Sequence, residues 1–272
     1  MNGVPCVDAE DALCVLEALK LNWNGGVAYE LVVRLAVAIF SANHVLWTKR
    51  VAVTVNEIFK KLRFHNSFDL RTQASFINFC CQLCEVEELR LEFFDCCSCL
   101  PSMLLASDDR VQEAVATMTQ VLCSTSLTIE AFVCAGGCVS LTSLLHSSKE
   151  SVLKKNLQTC HALSREINFC KEMSALGVIP ILGLLLHRTG VASVAAGILQ
   201  NIAREKSSLS VLDSSRIVES VSPLLFTSDP VAQASAVGFL LNLHSGSTES
   251  RRALIAALTS SVLQQCFDEC VQ

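Results

Sequence analysis

The stretch LGVIPILGLLLH, residues 176–187, contains no polar side chain before its final histidine. A membrane span, a cofactor pocket and a core helix all have this local appearance. A helix that crosses the hydrocarbon of a bilayer needs about 20 mostly apolar residues. This run ends at His187 and Arg188, and no wholly apolar run elsewhere in the chain is longer. We therefore predict no membrane insertion.

Similar stretches recur in the chain at intervals of about 40 residues. GGCVSLTSLLH at 136–146 matches GVIPILGLLLH at 177–187, with a leading glycine, a Leu-Leu pair and a final histidine in register. RIVESVSPLLF at 216–226 and CCSCLPSMLLA at 96–106 are further copies. Self-similarity at such a period is typical of repeat proteins.

Each of these stretches is followed by a short polar link and a second periodic segment. The second segments end at Leu122, Leu163, Ile202 and Leu243, at intervals of 41, 39 and 41 residues. Apolar side chains recur every three or four residues in both segments, which predicts two amphipathic helices in each repeat. One repeat cannot bury its own apolar face, whereas stacked repeats can, so the pattern predicts a solenoid.

Looser copies of the second segment lie upstream, at 68–83 and 27–40, so that about six repeats fit in the chain. The repeats resemble the armadillo family in their period, in the glycine before a Leu-Leu pair, and in a closing A-x-x-L-x-N-[LI] pattern. That pattern is clearest from Ala196 to Ile202 and from Val237 to Leu243.

The resemblance implies an all-α fold, a right-handed α-solenoid of about six armadillo-like repeats, with HEAT-like repeats as the alternative. We assign residues 1–25 to an N-terminal cap and residues 26–272 to the armadillo-repeat domain.

Armadillo proteins bind segments of other proteins in a groove lined by the last helix of each repeat. By resemblance, Asn201 and Asn242 occupy the position whose side-chain amide holds a bound peptide backbone. Gln158, Gly197 and Gly238 stand where the nuclear-import receptors of the family carry tryptophan. The resemblance therefore implies a peptide groove, but not a nuclear-localisation-signal receptor.

Four basic residues of the same region bear on the partner. By resemblance, a beta-catenin-like groove would use a basic stripe for acidic partners, and Lys154, Lys155, Arg165 and Arg204 offer only a fragment of one. We include Lys154 and Lys155 in the predicted groove.

The glycines of the predicted groove, Gly197 and Gly238, lie inside predicted helices. Glycine there costs about 1 kcal/mol relative to alanine. Either these glycines open the groove floor to a partner, or they let neighbouring helices pack closely.

Two C-x-x-C pairs, Cys81 with Cys84 and Cys96 with Cys99, have the spacing of a four-thiolate zinc site. Both pairs lie in apolar helical segments, and the acidic stretch between them would not neutralise an all-thiolate centre. We interpret these cysteines as structural thiols and predict no metal and no cofactor, with zinc as the alternative.

The chain carries a formal net charge of −5, which disfavours nucleic acid as the main partner. It contains no G-x-S-x-G elbow, P-loop or dinucleotide fingerprint, so we predict that it is not an enzyme. Our preferred hypothesis is a noncatalytic protein–protein interaction scaffold that binds several proteins as a structural subunit of a larger intracellular assembly.

Family analogy suggests the setting of such an assembly. It points to the cytoskeleton or to the axoneme of a cilium or flagellum, as in radial-spoke and central-pair proteins. The expected location is therefore the cytoplasm, including these structures. The alternative is a soluble adaptor that binds a peptide segment of its partner in the concave groove.

Overall fold

The computed structural model describes residues 9–21, 27–42, 47–62, 69–209, 212, 217–245, 251–252, 255–256 and 259. Within these ranges every regular element is a helix, which confirms the predicted all-α class. The chain folds into two compact units, Met1–Ser140 and Leu141–Gln272.

The first unit contains helices of about one to four turns joined by short links. Its elements are α1 (Ala9–Leu21), α2 (Val27–Ala42), α3 (Lys49–Leu62), α4 (Leu70–Glu85), α5 (Glu87–Arg90), a 3₁₀ helix (Leu91–Ser98), α6 (Leu100–Leu104), α7 (Asp109–Leu122) and α8 (Ser126–Cys134). The next helix, α9 (Gly137–Leu144), begins in this unit.

The second unit also contains both shorter and longer helices. Its elements are α10 (Glu150–Leu163), α11 (Ile167–Ala175), α12 (Val178–Leu185), α13 (Ala192–Ile202), a 3₁₀ turn (Lys206–Ser208), α14 (Ile217–Val221), a 3₁₀ helix (Ser222–Phe226) and α15 (Pro230–His244).

The predicted second segment of each repeat is a helix at the expected place. We call these six the closing helices: α2, α4, α7, α10, α13 and α15. In the first unit, α4 packs against both α2 and α7. In the second unit, α13 packs against both α10 and α15. Each unit is thus a stack of repeats, as the period predicts.

Aromatic residues fill the interior of the first stack. Phe40 of α2 and Phe76 of α4 both lie beside Phe79, with ring centroids 6.0 and 6.4 Å from its ring. All three side chains are buried. Tilted aromatic pairs of this kind add about 0.5–1.5 kcal/mol beyond the burial of their area.

The apolar stretch at 176–187 forms α12, whose inner face is part of the core of the second unit. Val178, Ile179 and Leu182 are fully buried, whereas Leu184 is 73% exposed. Burying an aliphatic side chain stabilises a fold by roughly 1.5–3 kcal/mol. This stretch is therefore a core helix, as its place in the repeat predicts.

The recurring glycines allow sharp turns just before α9 and α12. Gly136 and Gly177 occupy the same repeat position and have φ of 87° and 74°. Side chains other than glycine rarely adopt this left-handed conformation. At Gly177 the chain bends by 93° between α11 and α12.

The structure describes part of the predicted N-terminal cap. Helix α1 lies within it and packs against α2 and α3, with Leu16 fully buried. Trp23, a residue of the predicted cap that could cover the first repeat or contact a partner, lies outside the described residues. The division at residue 25 stays a prediction.

No single described helix has both the length and the apolar composition needed to cross a membrane. Two bent helix pairs, α8 with α9 and α11 with α12, meet that test by length and composition only.

Candidate protein-binding face of the second unit

Three closing helices of the second unit share the same four register positions. Positions spaced by four, three and four residues lie along one stripe of a helix. We call the combined stripes the closing-helix face. Its residues are Lys154, Gln158, His161 and Arg165 on or just past α10; Ser193, Gly197, Gln200 and Arg204 on or just past α13; and Ala234, Gly238, Leu241 and Ser245 on or just past α15.

The chemistry of this face changes from one helix to the next. The α10 stripe carries two cationic side chains, Lys154 and Arg165, together with His161. The α13 stripe carries a single cation, Arg204, and the α15 stripe carries none. Positive charge therefore decreases along the stack from α10 to α15.

Apolar side chains are exposed at the α15 end of the face. Leu241 is 63% exposed and Val237, its neighbour one turn earlier, is 43% exposed. The residue of α13 that corresponds to Val237 is Ala196, which is fully buried. A repeat position that is buried on α13 is therefore exposed to solvent on α15.

The two predicted groove asparagines are tied to the neighbouring helix of the stack. Asn201 donates from Nδ2 to Oγ of Ser164 at 2.8 Å, and Asn242 donates from Nδ2 to the backbone carbonyl oxygen of Gln200 at 2.9 Å. Both side chains are half-buried. Since a carboxamide has two N–H groups and an oxygen, these bonds use part of its capacity. The peptide-binding role of the asparagines stays a prediction.

The two groove glycines accommodate side chains from the preceding closing helix. A β-carbon on Gly197 would be 2.7 Å from Nε2 of His161, and one on Gly238 would be 2.2 Å from Nε2 of Gln200. Each glycine therefore gives room to its neighbour's side chain, which is the packing role. The partner-binding role of these glycines remains a prediction.

His161 is exposed at the rim of the face, with one edge of its imidazole against α13. The contact with Gly197 removes water from that edge of the ring. Partial burial of this kind disfavours the charged form and lowers the pKa of His161 below the ordinary histidine value. The ring is therefore mainly neutral at pH 7.

Three cations of this region have no carboxylate partner among the described residues. The six ion pairs between described residues all join residues of the first unit. Lys154, Lys155 and Arg204 take part in none of them. The carboxylate next to Arg204 belongs to Glu205, which instead accepts hydrogen bonds from the backbone amides of Ser207 and Ser208. Burial opposes ionisation of Glu205, but hydrogen bonds from the hydroxyl groups of Ser207 and Ser208, together with those from their backbone amides, prevail and lower its pKa.

The two C-x-x-C pairs are buried in the first unit, where two of their thiols donate hydrogen bonds to protein oxygens. Cys96 donates from Sγ to Oδ1 of Asn56 at 2.7 Å, and Cys99 donates to the carbonyl of Cys96 at 3.0 Å. Burial raises the pKa of Cys84 well above the ordinary thiol value. Among the residues with described positions, no group of three or more His, Cys, Asp or Glu is arranged to hold a metal ion.

Sequence reasoning identified the glycines of the face and the asparagines beside it, but it missed the three side chains at one shared repeat position. His161, Gln200 and Leu241 occupy the position just before the asparagine position of their repeats. The signal was present, because a glycine recurs within the closing helices at a spacing of 41 residues. A glycine in the interior of a helix, where no turn requires it, often marks the close approach of a neighbouring group.

Comparisons with known proteins relate the chain to engineered repeat proteins. An engineered protein is 26% identical, with a TM-score of 0.70 over 78% of this chain and 87% of its own. A designed armadillo repeat protein in complex with the peptide (KR)4 is 19% identical, with a TM-score of 0.68 over 79% and 89% of the two chains.

A third structure is of computationally designed armadillo repeat proteins for modular peptide recognition. It is 15% identical, with a TM-score of 0.72 over 85% of this chain and 99% of its own. No protein-family model and no curated protein sequence matches the chain. The structural likenesses favour armadillo over HEAT-like repeats.

Proposed function

Because the chain has an armadillo-like repeat fold, we propose that it is a noncatalytic scaffold that binds a segment of a partner protein. The proposed binding surface is the closing-helix face of the second unit. One observation carries this proposal: three successive helices place equivalent positions in a single register along one face. A repeated row of this kind suits a partner that also repeats its contacts, as an extended polypeptide does.

The comparisons support the same class of function. One of the similar structures is a complex with a peptide, and another was designed for peptide recognition. These are properties of those proteins. This chain has side-chain amide groups at three half-buried positions of the predicted groove, Gln158, Asn201 and Asn242. The backbone of a bound segment would find hydrogen-bond partners there.

A permanent structural subunit is the second candidate function. The observation that favours it is the exposed apolar surface of α15, where Val231 is 63% exposed in addition to Val237 and Leu241. Exposed apolar surface is typical of interaction sites when it forms a patch, as Val237 and Leu241 do one turn apart. The cytoskeletal or axonemal setting and the cytoplasmic location remain predictions that rest on family analogy.

A random-peptide phage library tests the binding of segments. The purified chain would be panned, and enriched peptides measured by fluorescence polarisation against a variant with Lys154→Trp and Ala234→Trp, which obstructs the face at two exposed positions. The matched control carries Lys171→Trp and Ala175→Trp, two exposed positions on α11.

We expect enriched peptides to lose binding to the face variant and to retain binding to the control. The proposal would be overturned by equal binding to both variants, by equal loss in both, or by a library that yields no specific peptide.

A further inference from the structure

We propose that the segment bound by the closing-helix face is acidic where it crosses α10 and α13, and apolar where it crosses α15. This inference rests on the proposed function, because it names the chemistry of the partner at the same surface. It follows from the gradient of charge along the face.

The acidic part of the proposed partner is inferred from cations that lack carboxylate partners in the described part of the chain. Lys154 is exposed, Lys155 is half-buried beside it, and Arg204 is exposed at the end of α13. None of the three belongs to an ion pair among the described residues, although six such pairs join residues of the first unit. A carboxylate-rich segment would complement these charges, whereas a basic segment would be repelled.

The apolar part of the proposed partner is inferred from α15. The positions that carry His161 on α10 and Gln200 on α13 carry Leu241 on α15, and Ser193 is replaced there by Ala234. With Val237, these side chains form an exposed apolar patch at the end of the cationic rows. A leucine or phenylalanine of the partner would bury this patch, and apolar anchors of this kind dominate binding energy at interfaces.

The charge pattern favours a polypeptide over a nucleic acid. Both polymers supply anionic groups, but a nucleic acid has phosphates along its whole length. The cations of this face are confined to α10 and α13, and the chain as a whole carries a net charge of −5. A segment with one acidic and one apolar part matches this arrangement.

Synthetic peptides of defined composition test the inference. The probe joins a block of glutamates and aspartates to a block containing leucine and phenylalanine, and it is made in both orders because the direction of binding is unspecified. The comparison ligands are the acidic block without the apolar block, the peptide (KR)4, and single-stranded oligodeoxythymidine. Affinities for the full chain are measured by fluorescence polarisation at low and high salt.

The first variant neutralises two cations of the face, Lys154 and Arg204, and the adjacent Lys155, with Lys154→Gln, Lys155→Gln and Arg204→Gln. Its matched control, Lys171→Gln, Arg188→Gln and Lys206→Gln, removes the same total charge from exposed positions of the second unit outside the face. We expect the face variant to weaken probe binding by roughly tenfold, since each exposed charge pair contributes modestly. The control should change the affinity by less than about twofold, within the scatter expected of remote surface charges.

A second variant tests the apolar contact. Leu241→Ala should weaken binding of the probe by roughly fivefold to tenfold, without affecting the acidic block alone. Its control is Leu184→Ala, at a leucine of α12 that is 73% exposed. Because the apolar contact is not screened, the effect of Leu241→Ala should persist at high salt.

Three outcomes would overturn the inference. They are equal loss in the face and control triple variants, tighter binding of (KR)4 than of the acidic probe, and preferential binding of oligodeoxythymidine that the face variant abolishes. The inference can fail while the proposed function holds. If phage-derived peptides of basic or neutral composition depend on the face, then the face binds segments but the chemistry inferred here is wrong.

Discussion

Gln200 of α13 lies directly over Gly238 of α15, so that a β-carbon on the glycine would be only 2.2 Å from Nε2 of the glutamine. One repeat earlier, His161 has the same relation to Gly197. A side chain from one closing helix thus rests on a glycine of the next, and this contact repeats along the stack of the second unit. The glycines are part of the packing between repeats.

The contact predicts that Gly238→Ala is tolerated and Gly137→Ala is not. The atom closest to a new methyl at Gly238 is the mobile end of Gln200, whereas at Gly137 it is the ring of Phe132, at 2.1 to 2.5 Å. Phe132 is fully buried, so its ring cannot swing into solvent to make room. We expect Gly137→Ala to lower the free energy of unfolding by about 1–3 kcal/mol.

At Gly238 the gain in helix propensity is as much as about 1 kcal/mol. We therefore expect Gly238→Ala to leave the free energy of unfolding unchanged or to raise it by up to about that amount. Urea unfolding followed by circular dichroism measures both variants. Equal destabilisation of the two would contradict the packing described here.

The N-terminus of α15 depends on a single carboxylate. Asp229 accepts hydrogen bonds from the backbone N–H groups of Val231 and Ala232, at 2.9 and 3.3 Å. Asp229→Ala should lower the free energy of unfolding by about 1 kcal/mol, because these amide groups lose their acceptor. Asp229→Asn keeps an acceptor oxygen and serves as the control. Thermal unfolding of both variants is the measurement, and identical melting temperatures would argue against the cap.

Thiol reactivity should follow burial. Cys14 and Cys134 are exposed, whereas Cys80, Cys84 and Cys170 are buried. Burial also raises the pKa of Cys170 to about 12, so that little thiolate is present at neutral pH. Brief treatment of the folded chain with iodoacetamide should alkylate Cys14 and Cys134 before the buried cysteines of the described residues. Peptide mass spectrometry measures the order, and fast labelling of Cys80 or Cys170 would contradict it.

The stability of the second unit should fall in mild acid because of His161. Partial burial against α13 lowers the pKa of this imidazole in the folded chain. The unfolded chain therefore binds a proton more readily, and the free energy of unfolding decreases as the pH falls through the ordinary histidine pKa of about 6.5. His161→Gln should remove this part of the pH dependence.

Urea unfolding above and below that pH tests the prediction for His161. His187→Gln, at an exposed histidine just past α12, is the matched control. If the wild-type chain and the His161→Gln variant lost the same stability on acidification, the role assigned to His161 would be wrong.

The sequence by itself determined the fold, because periodicity is a local property. Apolar residues at three-to-four spacing specify helices, and a period near 40 residues specifies units that must stack to bury their apolar faces. The recurring glycine at Gly136 and Gly177 also had a local cause, since its φ is positive in both copies. Each of these features depends on nearby residues.

The tertiary structure alone decided what the candidate site residues contact. The sequence placed Asn201 and Asn242 in the groove, but their bonds to Ser164 and Gln200 join residues 37 and 42 positions apart. No periodicity reports the rotamer of a side chain on a neighbouring helix. The same is true of the position shared by His161, Gln200 and Leu241: the first two side chains rest on glycines of the next closing helix, whereas Leu241 is exposed.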